Sequence, residues 1–430
     1  MKLQLGTFPV RDVAIGRRSE WHDGRLTLNL QELADIVLTD RRIVRATVEI
    51  ARPGESVRIW PVRDAVEPRI KVEGPGTVYP GICDRPTSTV GQGMTHRMSG
   101  VCVVEVSEVK WHDAGHDHLM VYTDMAGPWA DATPYGKLFN ICVLAEPDPG
   151  LEIDVKNRAV HLATLVVSDH IASLTRHLKP PQVETFELGP VDPALPKVVY
   201  IPCIHSSEAT SGRPTTFCTS IYGSTQLTPP WAVHPNEMLD GAVSGPYRTA
   251  FATSWTLVNN PVLLDMYRRH GKDFNFLSCI FMRTEWTTQR EKDLISQETA
   301  KLAWLMGARG AIVTWDAGGN EFMEVVRVVR ACERLGIKTV FLTSEDASAE
   351  GVSTMLEPVP EADAMVSSGF ISPSLALGLD VAPAVSRVIG SPTKLIGRLR
   401  DQEVSTAGTL PPPSRYDDHY GFNSLTCVDD

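Results

Sequence analysis

After residue 197, apolar runs alternate with helical patterns, and this alternation constrains the fold of the chain more than any other feature. Five runs are typical of buried strands: KVVYIPCI, FNFLSCIFM, GAIVTW, KTVFLT and DAMVSSG. Helical patterns separate them, most clearly KDLISQETAKLAWLMG and EFMEVVRVVRACERLG. Strands that alternate with helices at this spacing predict a parallel, doubly wound sheet. Ligands of such sheets bind outside the carboxyl ends of the strands.

The chain before residue 150 has a different pattern, with short β-type runs separated by glycine and proline. It contains one helical pattern, at residues 31–39, which Asn29 can cap. A second helical pattern and a stretch with several prolines follow. We therefore predict an α/β protein with four parts: a β-rich N-terminal domain (1–150), a helical segment and proline-rich linker (151–196), a doubly wound, mostly parallel α/β domain (197–403) and an extended C-terminal arm (404–430).

Charge and cysteine usage exclude several classes of protein. The 41 Lys and Arg residues against 52 Asp and Glu residues give a net charge of −11, and no basic run reaches five residues, which argues against a nucleic-acid groove or an anionic membrane surface. We expect a cytoplasmic protein, because the chain has no apolar run of membrane-spanning length and no signal-peptide pattern. The eight cysteines form no C-x-x-C pair, so neither a disulfide scaffold nor a thiolate zinc site is supported.

Four strings identify a family by their order and spacing: ARPGESVRIWPVRDAVEPRIKVEG at 51–74, NEMLDGAVSG at 236–245, VNNPVLLDMYRRHGKDFNF at 258–276 and YGFNSLT at 420–426. They resemble the α/β-subunit proprotein of component B of the glycine, sarcosine and betaine reductases, from Leu3 to about Thr426. The resemblance implies that a cysteine of the proprotein becomes a pyruvoyl group, which captures the substrate amine as a Schiff base. It also implies a separate subunit whose selenocysteine attacks the α-carbon and breaks the C–N bond.

The chain departs from this family at the cysteine itself. In the family the cysteine directly follows a Ser-Gly pair, whereas here Ser244 and Gly245 are followed by Pro246. Self-cleavage begins with a hydroxyl or thiol that attacks its own preceding carbonyl, and proline offers neither group. We therefore predict a homologue with no pyruvoyl group and no other cofactor; self-cleavage at Ser244 is the remaining alternative.

The residues that flank the missing cysteine are the predicted contacts with substrate: Asn236, Ser244, Asn259 and Asn260. Glu237 and Asp240 are the predicted catalytic carboxylates, because residues three apart share a face on one helical turn and could hold a cation or share a proton. A capped, solvated turn is the alternative interpretation. Glu285 is a third catalytic candidate, since it follows a strand run at its carboxyl end.

Two further segments carry weaker signals. Gly318, Gly319 and Asn320 open a helix and could present backbone N–H groups to a carboxylate or another anion, although an ordinary turn is an equal alternative. His112, His116 and His118 are weak candidates for metal ligands. A glycine interrupts that set and a strand pattern precedes it, so a solvated hairpin loop is favoured over a metal site.

The resemblance implies the large subunit of a reductase-type complex, hence part of an oxidoreductase. It would bind a small amine or an amino-acid-like compound, whose C–N or related C–X bond is cleaved by a Cys or selenocysteine of a partner subunit in a hetero-oligomer. Without the carbonyl, the leaving amine must be activated by quaternisation, protonation or pocket contacts. Two alternatives remain: a non-catalytic scaffold subunit, and a thiol-dependent lyase or transferase subunit.

Overall fold

The chain folds as a mixed α/β protein. The structure is a computed structural model that describes residues 1–109, 121–205, 219–224, 229–245, 252–284, 286–316, 321–347, 353–354, 359–370, 384–390, 420 and 422. Within these ranges no helix is long and apolar enough to cross a membrane. The same residues contain no group of three or more His, Cys, Asp or Glu side chains arranged to hold a metal ion.

The first half is rich in strands. Its strands are β1 (Lys2–Pro9), β2 (Asp12–Ile15), β3 (Glu20–His22), β4 (Arg25–Leu28), β5 (Ile43–Ala51), β6 (Val57–Val66), β7 (Arg69–Glu73), β8 (Gly93–Ser99), β9 (Val101–Val106), β10 (Val121–Asp124), β11 (Phe139–Pro147) and β12 (Gln182–Glu187). Its helices are α1 (Leu30–Val37) and α2 (Ile153–Ser173), and three 3₁₀ turns lie at Ile82–Asp84, Pro128–Ala132 and Pro134–Lys137. The predicted cap of α1 is confirmed, because the Asn29 side chain accepts hydrogen bonds from the N–H groups of Gln31 and Glu32.

These strands form three sheets, with the orders β12-β1-β8-β7, β10-β6-β9-β11-β5 and β2-β4-β3. The helix α2 lies over β9 and β11 and buries Ala159, Ala163 and Val167 in one apolar core with Val103 and Ile141. Burial of these aliphatic side chains stabilises the first half by the ordinary hydrophobic effect.

The second half contains ten described strands and five helices. The strands are β13 (Lys197–Ile204), β14 (Ser220–Ile221), β15 (Trp231–Val233), β16 (Val243–Ser244), β17 (Asn275–Arg283), β18 (Gly310–Trp315), β19 (Lys338–Ala347), β20 (Ser353–Thr354), β21 (Ala364–Phe370) and β22 (Arg387–Gly390). The helices are α3 (Pro235–Leu239), α4 (Ser254–Val258), α5 (Pro261–Arg269), α6 (Gln289–Leu305) and α7 (Phe322–Arg334).

A parallel sheet with the order β17-β13-β18-β19-β21 is the centre of this half, with β15 antiparallel at the edge beside β17. Side chains alternate along β13: Val199 and Ile201 pack beneath α6 and α7, whereas Tyr200 and Ile204 face the core that contains Leu263 of α5. Helices therefore cover both faces, and the predicted doubly wound α/β architecture is confirmed.

Strand pairing crosses the predicted domain boundaries. Strand β12 lies within the predicted linker and pairs antiparallel with β1, and β22 of the second half pairs in parallel with β6 of the first half. Segment 151–196 thus contains the helix α2 and the strand β12. The proposed division into domains stays a prediction.

Candidate functional site

The carboxyl ends of β13 and β18 mark the point where the order of the parallel sheet reverses. Taken along the chain, the five parallel strands have the order 2-1-3-4-5, in which the first and third strands are neighbours. A crevice opens at such a reversal because the flanking connections leave to opposite faces, and ligands of doubly wound sheets bind there. His205 directly follows β13 and Asp316 directly follows β18.

Asp316 fixes the backbone at this edge. Its Oδ1 accepts the N–H of His205 at 2.5 Å, its Oδ2 accepts the hydroxyl of Thr219 at 2.5 Å, and the Thr219 N–H donates to the His205 carbonyl at 2.9 Å. The carboxylate is fully buried, and this burial raises the pKa of Asp316 to about 6 because a charge is costly away from water.

His205 is the neighbour of Asp316 that retains some exposure. Its side chain is held beside the carboxylate of Glu321, with 3.4 Å between Nδ1 and Oε1. His205 is 6 % exposed and Glu321 is 8 % exposed, so a small ligand at the sheet edge could reach both. An imidazole next to a carboxylate can take up and release a proton near neutral pH.

Ser244 and Gly245 lie next to this edge. Strand β16 pairs with β14, which places Ser244 opposite Ser220 with 3.0 Å between the two hydroxyl oxygens. Ser220 follows Thr219, whose hydroxyl is bound to Asp316. The pairing of β14 with β16 therefore places Ser244 and Gly245 close to Asp316. Pro246 lies outside the described residues.

A second buried carboxylate, Asp64 of β6, lies on the other side of Gly245. The Gly245 N–H donates to the Ser254 hydroxyl at 3.0 Å, and that hydroxyl donates to Asp64 Oδ2 at 2.6 Å. Desolvation raises the pKa of Asp64 to about 6. A Cβ at position 245 would lie 2.6 Å from the Ala252 carbonyl oxygen, so only glycine fits there.

Asp64 belongs to a buried charged cluster. His161 Nδ1 lies 2.7 Å from Glu105 Oε2 and 3.9 Å from Asp64 Oδ2, and the guanidinium of Arg63 donates to Asn157 at 2.7 Å. All five side chains are buried. Buried charges persist when partners compensate them, so this cluster ties the backbone around Gly245 to the first half of the molecule.

Comparison with known proteins assigns the chain to one family. The model of one family, glycine/sarcosine/betaine reductase component B subunits, matches residues 1–403. The chain belongs to this family.

Three relatives show how close the relationship is. The chain is 33% identical over 402 residues to the sarcosine reductase complex component B subunit alpha of Peptoclostridium acidaminophilum, which covers 91% of this chain and 89% of the relative. It is 33% identical over 405 residues to the glycine reductase complex component B subunits alpha and beta of Acetoanaerobium sticklandii, with 92% and 90% covered. It is 34% identical over 387 residues to the betaine reductase complex component B subunit alpha of Peptoclostridium acidaminophilum, with 86% and 85% covered. No solved structure matches the chain.

Asn236 of this component B chain is buried in a set of backbone contacts. Its Nδ2 lies 3.3 Å from the Met1 carbonyl, 3.1 Å from that of Gly91 and 3.2 Å from that of Phe186, and its Oδ1 accepts the hydroxyl of Tyr267. Protein groups thus satisfy both ends of this amide. The contacts are typical of a structural role, and the predicted contact with substrate stays a prediction.

Asp240 is also used by protein partners. It forms a buried ion pair with Lys71, accepts the Gly91 N–H at 2.7 Å and accepts the Thr95 hydroxyl at 2.5 Å. Asp240 is fully buried. The alternative interpretation, a capped and solvated turn, therefore does not describe this residue. These contacts join α3 to β7 and β8.

Glu237 forms a capping box at the start of α3, where its carboxylate accepts the His234 N–H at 2.7 Å and the Tyr222 hydroxyl at 2.6 Å. The capped turn that was the alternative to catalysis is therefore present at this residue. Glu237 and Asp240 have different hydrogen-bond and ion-pair partners, and their predicted catalytic role stays a prediction.

Asn259 and Asn260, two more of the predicted substrate contacts, have different partners. Asn259 accepts a hydrogen bond from Arg69 at 3.2 Å and donates to the Trp255 carbonyl at 3.1 Å. Asn260 caps α5 and donates to the Tyr200 hydroxyl at 3.1 Å, and Tyr200 lies 2.7 Å from Thr314, two residues before Asp316. Asn260 therefore connects to the sheet edge through Tyr200.

Several predicted residues lie outside the described residues: Glu285, Gly318, Gly319, Asn320, His112, His116 and His118. Neither His205 nor Asp316 is among the site residues predicted from the sequence. Both directly follow an apolar strand run, which is the signal that selected Glu285.

Proposed function

We propose that the chain is the large subunit of a cytoplasmic component B-type reductase complex that acts without a pyruvoyl group. It binds a small amine or an amino-acid-like substrate at the carboxyl edge of the parallel sheet, and a Cys or selenocysteine of a partner subunit cleaves the C–N or related C–X bond. The observation that carries this proposal is the position of Ser244 and Gly245, held between the buried carboxylates of Asp64 and Asp316 and followed by proline.

The residues at this place do not fit a pyruvoyl group, because that group forms from a cysteine or serine residue of the polypeptide itself. Position 246 supplies neither hydroxyl nor thiol. The nearest described hydroxyls, those of Ser244 and Ser254, do not occupy position 246, which directly follows the Ser-Gly pair. The proposed reaction therefore involves no carbonyl group on the protein.

The remaining groups support cleavage by displacement. A thiolate or selenolate of the partner attacks the carbon, the new C–S or C–Se bond forms, and the C–N electron pair leaves with nitrogen. A primary or secondary amine leaves more readily when it carries an extra proton, which His205 beside Glu321 can supply. A quaternary ammonium group leaves as a neutral amine and needs no proton.

The described cysteines support a partner as the source of the attacking group. Five of the six are fully buried, as expected for small core residues: Cys102, Cys142, Cys203, Cys279 and Cys332. Burial raises the pKa of each of these thiols. The thiolate is the nucleophilic form, so these five cysteines are poor nucleophiles.

Treatment with a carbonyl reagent tests the proposal. We expect that the reconstituted complex, supplied with the partner subunit, a reductant and a substrate, keeps its turnover after incubation with phenylhydrazine. Pyruvate serves as the control that shows the reagent to be active. Inactivation that follows the stoichiometric formation of a hydrazone on the large subunit contradicts the proposal.

A further inference from the structure

Arg283 is a buried cation at the carboxyl edge of the parallel sheet, and it forms no ion pair with any residue that the structure describes. The residue ends β17 and is 7 % exposed. Within the described part of the chain, its guanidinium forms no ion pair and donates no hydrogen bond, and its Nε is shielded from solvent without an acceptor. A buried, charged donor that lacks an acceptor is costly, so natural proteins rarely keep one without a reason.

The guanidinium is held in place by an aromatic ring. Its central carbon lies 4.3 Å from the centre of the Trp286 ring, and the Trp286 indole N–H donates to the Arg283 carbonyl at 2.9 Å. Trp286 is itself fixed, because its backbone N–H lies 3.2 Å from the carboxylate of Glu324. Stacking leaves the edge of the planar guanidinium available, which is the edge that binds carboxylates in a bidentate manner.

The register of the sheet places Arg283 beside the candidate site. Arg283 pairs with Ile204 of the neighbouring strand β13, about 4.8 Å away, and His205 follows Ile204. Trp286, on which the guanidinium stacks, packs against the core of α6 and α7. The guanidinium therefore lies at the carboxyl edge on the side of α7, where Glu321 directly precedes the helix.

We propose that Arg283 binds the carboxylate of the substrate and so selects amino-acid-like compounds over simple amines. The inference rests on the proposed function in assigning this carboxylate to a substrate. Arg283 would hold the carboxylate at one end, while the acidic side chain of Glu321 favours a cationic nitrogen at the other. The site then matches a small zwitterion.

Titration of the purified full-length chain tests this assignment without any turnover. The probe is acetate, which carries only the carboxylate, followed by glycine betaine and choline, which share a trimethylammonium group and differ in the carboxylate. We expect Arg283→Gln to weaken the binding of acetate and betaine by about 10- to 100-fold, because hydrogen bonds between charged groups are lost. Choline binding stays unchanged. Arg283→Lys keeps the positive charge but loses the paired N–H donors of the guanidinium, so it weakens acetate and betaine binding to an intermediate extent.

Arg327→Gln is the matched control, because Arg327 lies on α7 and its guanidinium is already paired with Asp293 at 2.9 Å. Thermal unfolding of each variant verifies the fold. The inference is overturned if wild-type chain fails to bind acetate, or if Arg283→Gln and Arg283→Lys bind it as tightly as wild type. If acetate binding depends on Arg283 but the reconstituted complex shows no turnover, the proposed function is contradicted and the anion-binding site is supported.

Discussion

Replacing His205 with glutamine is expected to lower the turnover of the reconstituted complex by about 100- to 10,000-fold on a substrate that releases a primary or secondary amine. Glutamine keeps the main-chain hydrogen bond to Asp316 and a side chain of similar length, but it cannot deliver a proton. The steady-state rate of amine release measures the effect. A substrate with a quaternary ammonium group is expected to lose much less, since its leaving group needs no proton.

His22→Gln is the control for this substitution, because the His22 side chain is 84% exposed and belongs to β3, in the first half of the molecule. An unchanged rate in His205→Gln would remove this residue from the mechanism. A wild-type complex that assembles fully and releases no amine from any substrate would instead support the scaffold interpretation.

Asp240→Asn is expected to reduce the free energy of unfolding by about 3–5 kcal/mol, because it leaves the buried ammonium of Lys71 without a counter-charge. The amide can still accept the N–H of Gly91, so the loss reports mainly on the charge. The shift of the urea-induced unfolding transition measures it.

Glu298→Gln provides the matched comparison, since Glu298 pairs with Lys301 on the exposed surface of α6, where an ion pair contributes at most about 0.5 kcal/mol. A stable Asp240→Asn variant that has lost turnover would contradict the structural interpretation of this residue. It would support the catalytic role that its position beside Ser244 first suggested.

The fold of the second half could be predicted from local patterns, because the strand runs before His205, Arg283 and Asp316 are apolar and long helical patterns separate them. The same applies to the start of α1, where a single asparagine side chain caps two N–H groups. Periodicity and capping depend on residues a few positions apart, so the sequence alone contains the required information.

The site depends on contacts between distant segments, which periodicity does not encode. Asp64 lies 190 residues before its partner Ser254, and Asp240 lies 169 residues after Lys71. The neighbours of His205 follow from the order of the strands, in which β13 lies between β17 and β18. Predicting which polar residue follows each strand run would have selected His205, Arg283 and Asp316, and Arg283 follows the run that drew attention to Glu285.

The most direct test of the account is the intact mass of the purified chain, because the central claim is that the polypeptide is not cut beside Gly245. We predict a single species near 47.2 kDa that retains the peptide bond between Gly245 and Pro246. Two fragments that divide the chain near Ser244, with a blocked amino terminus on the second, would contradict it.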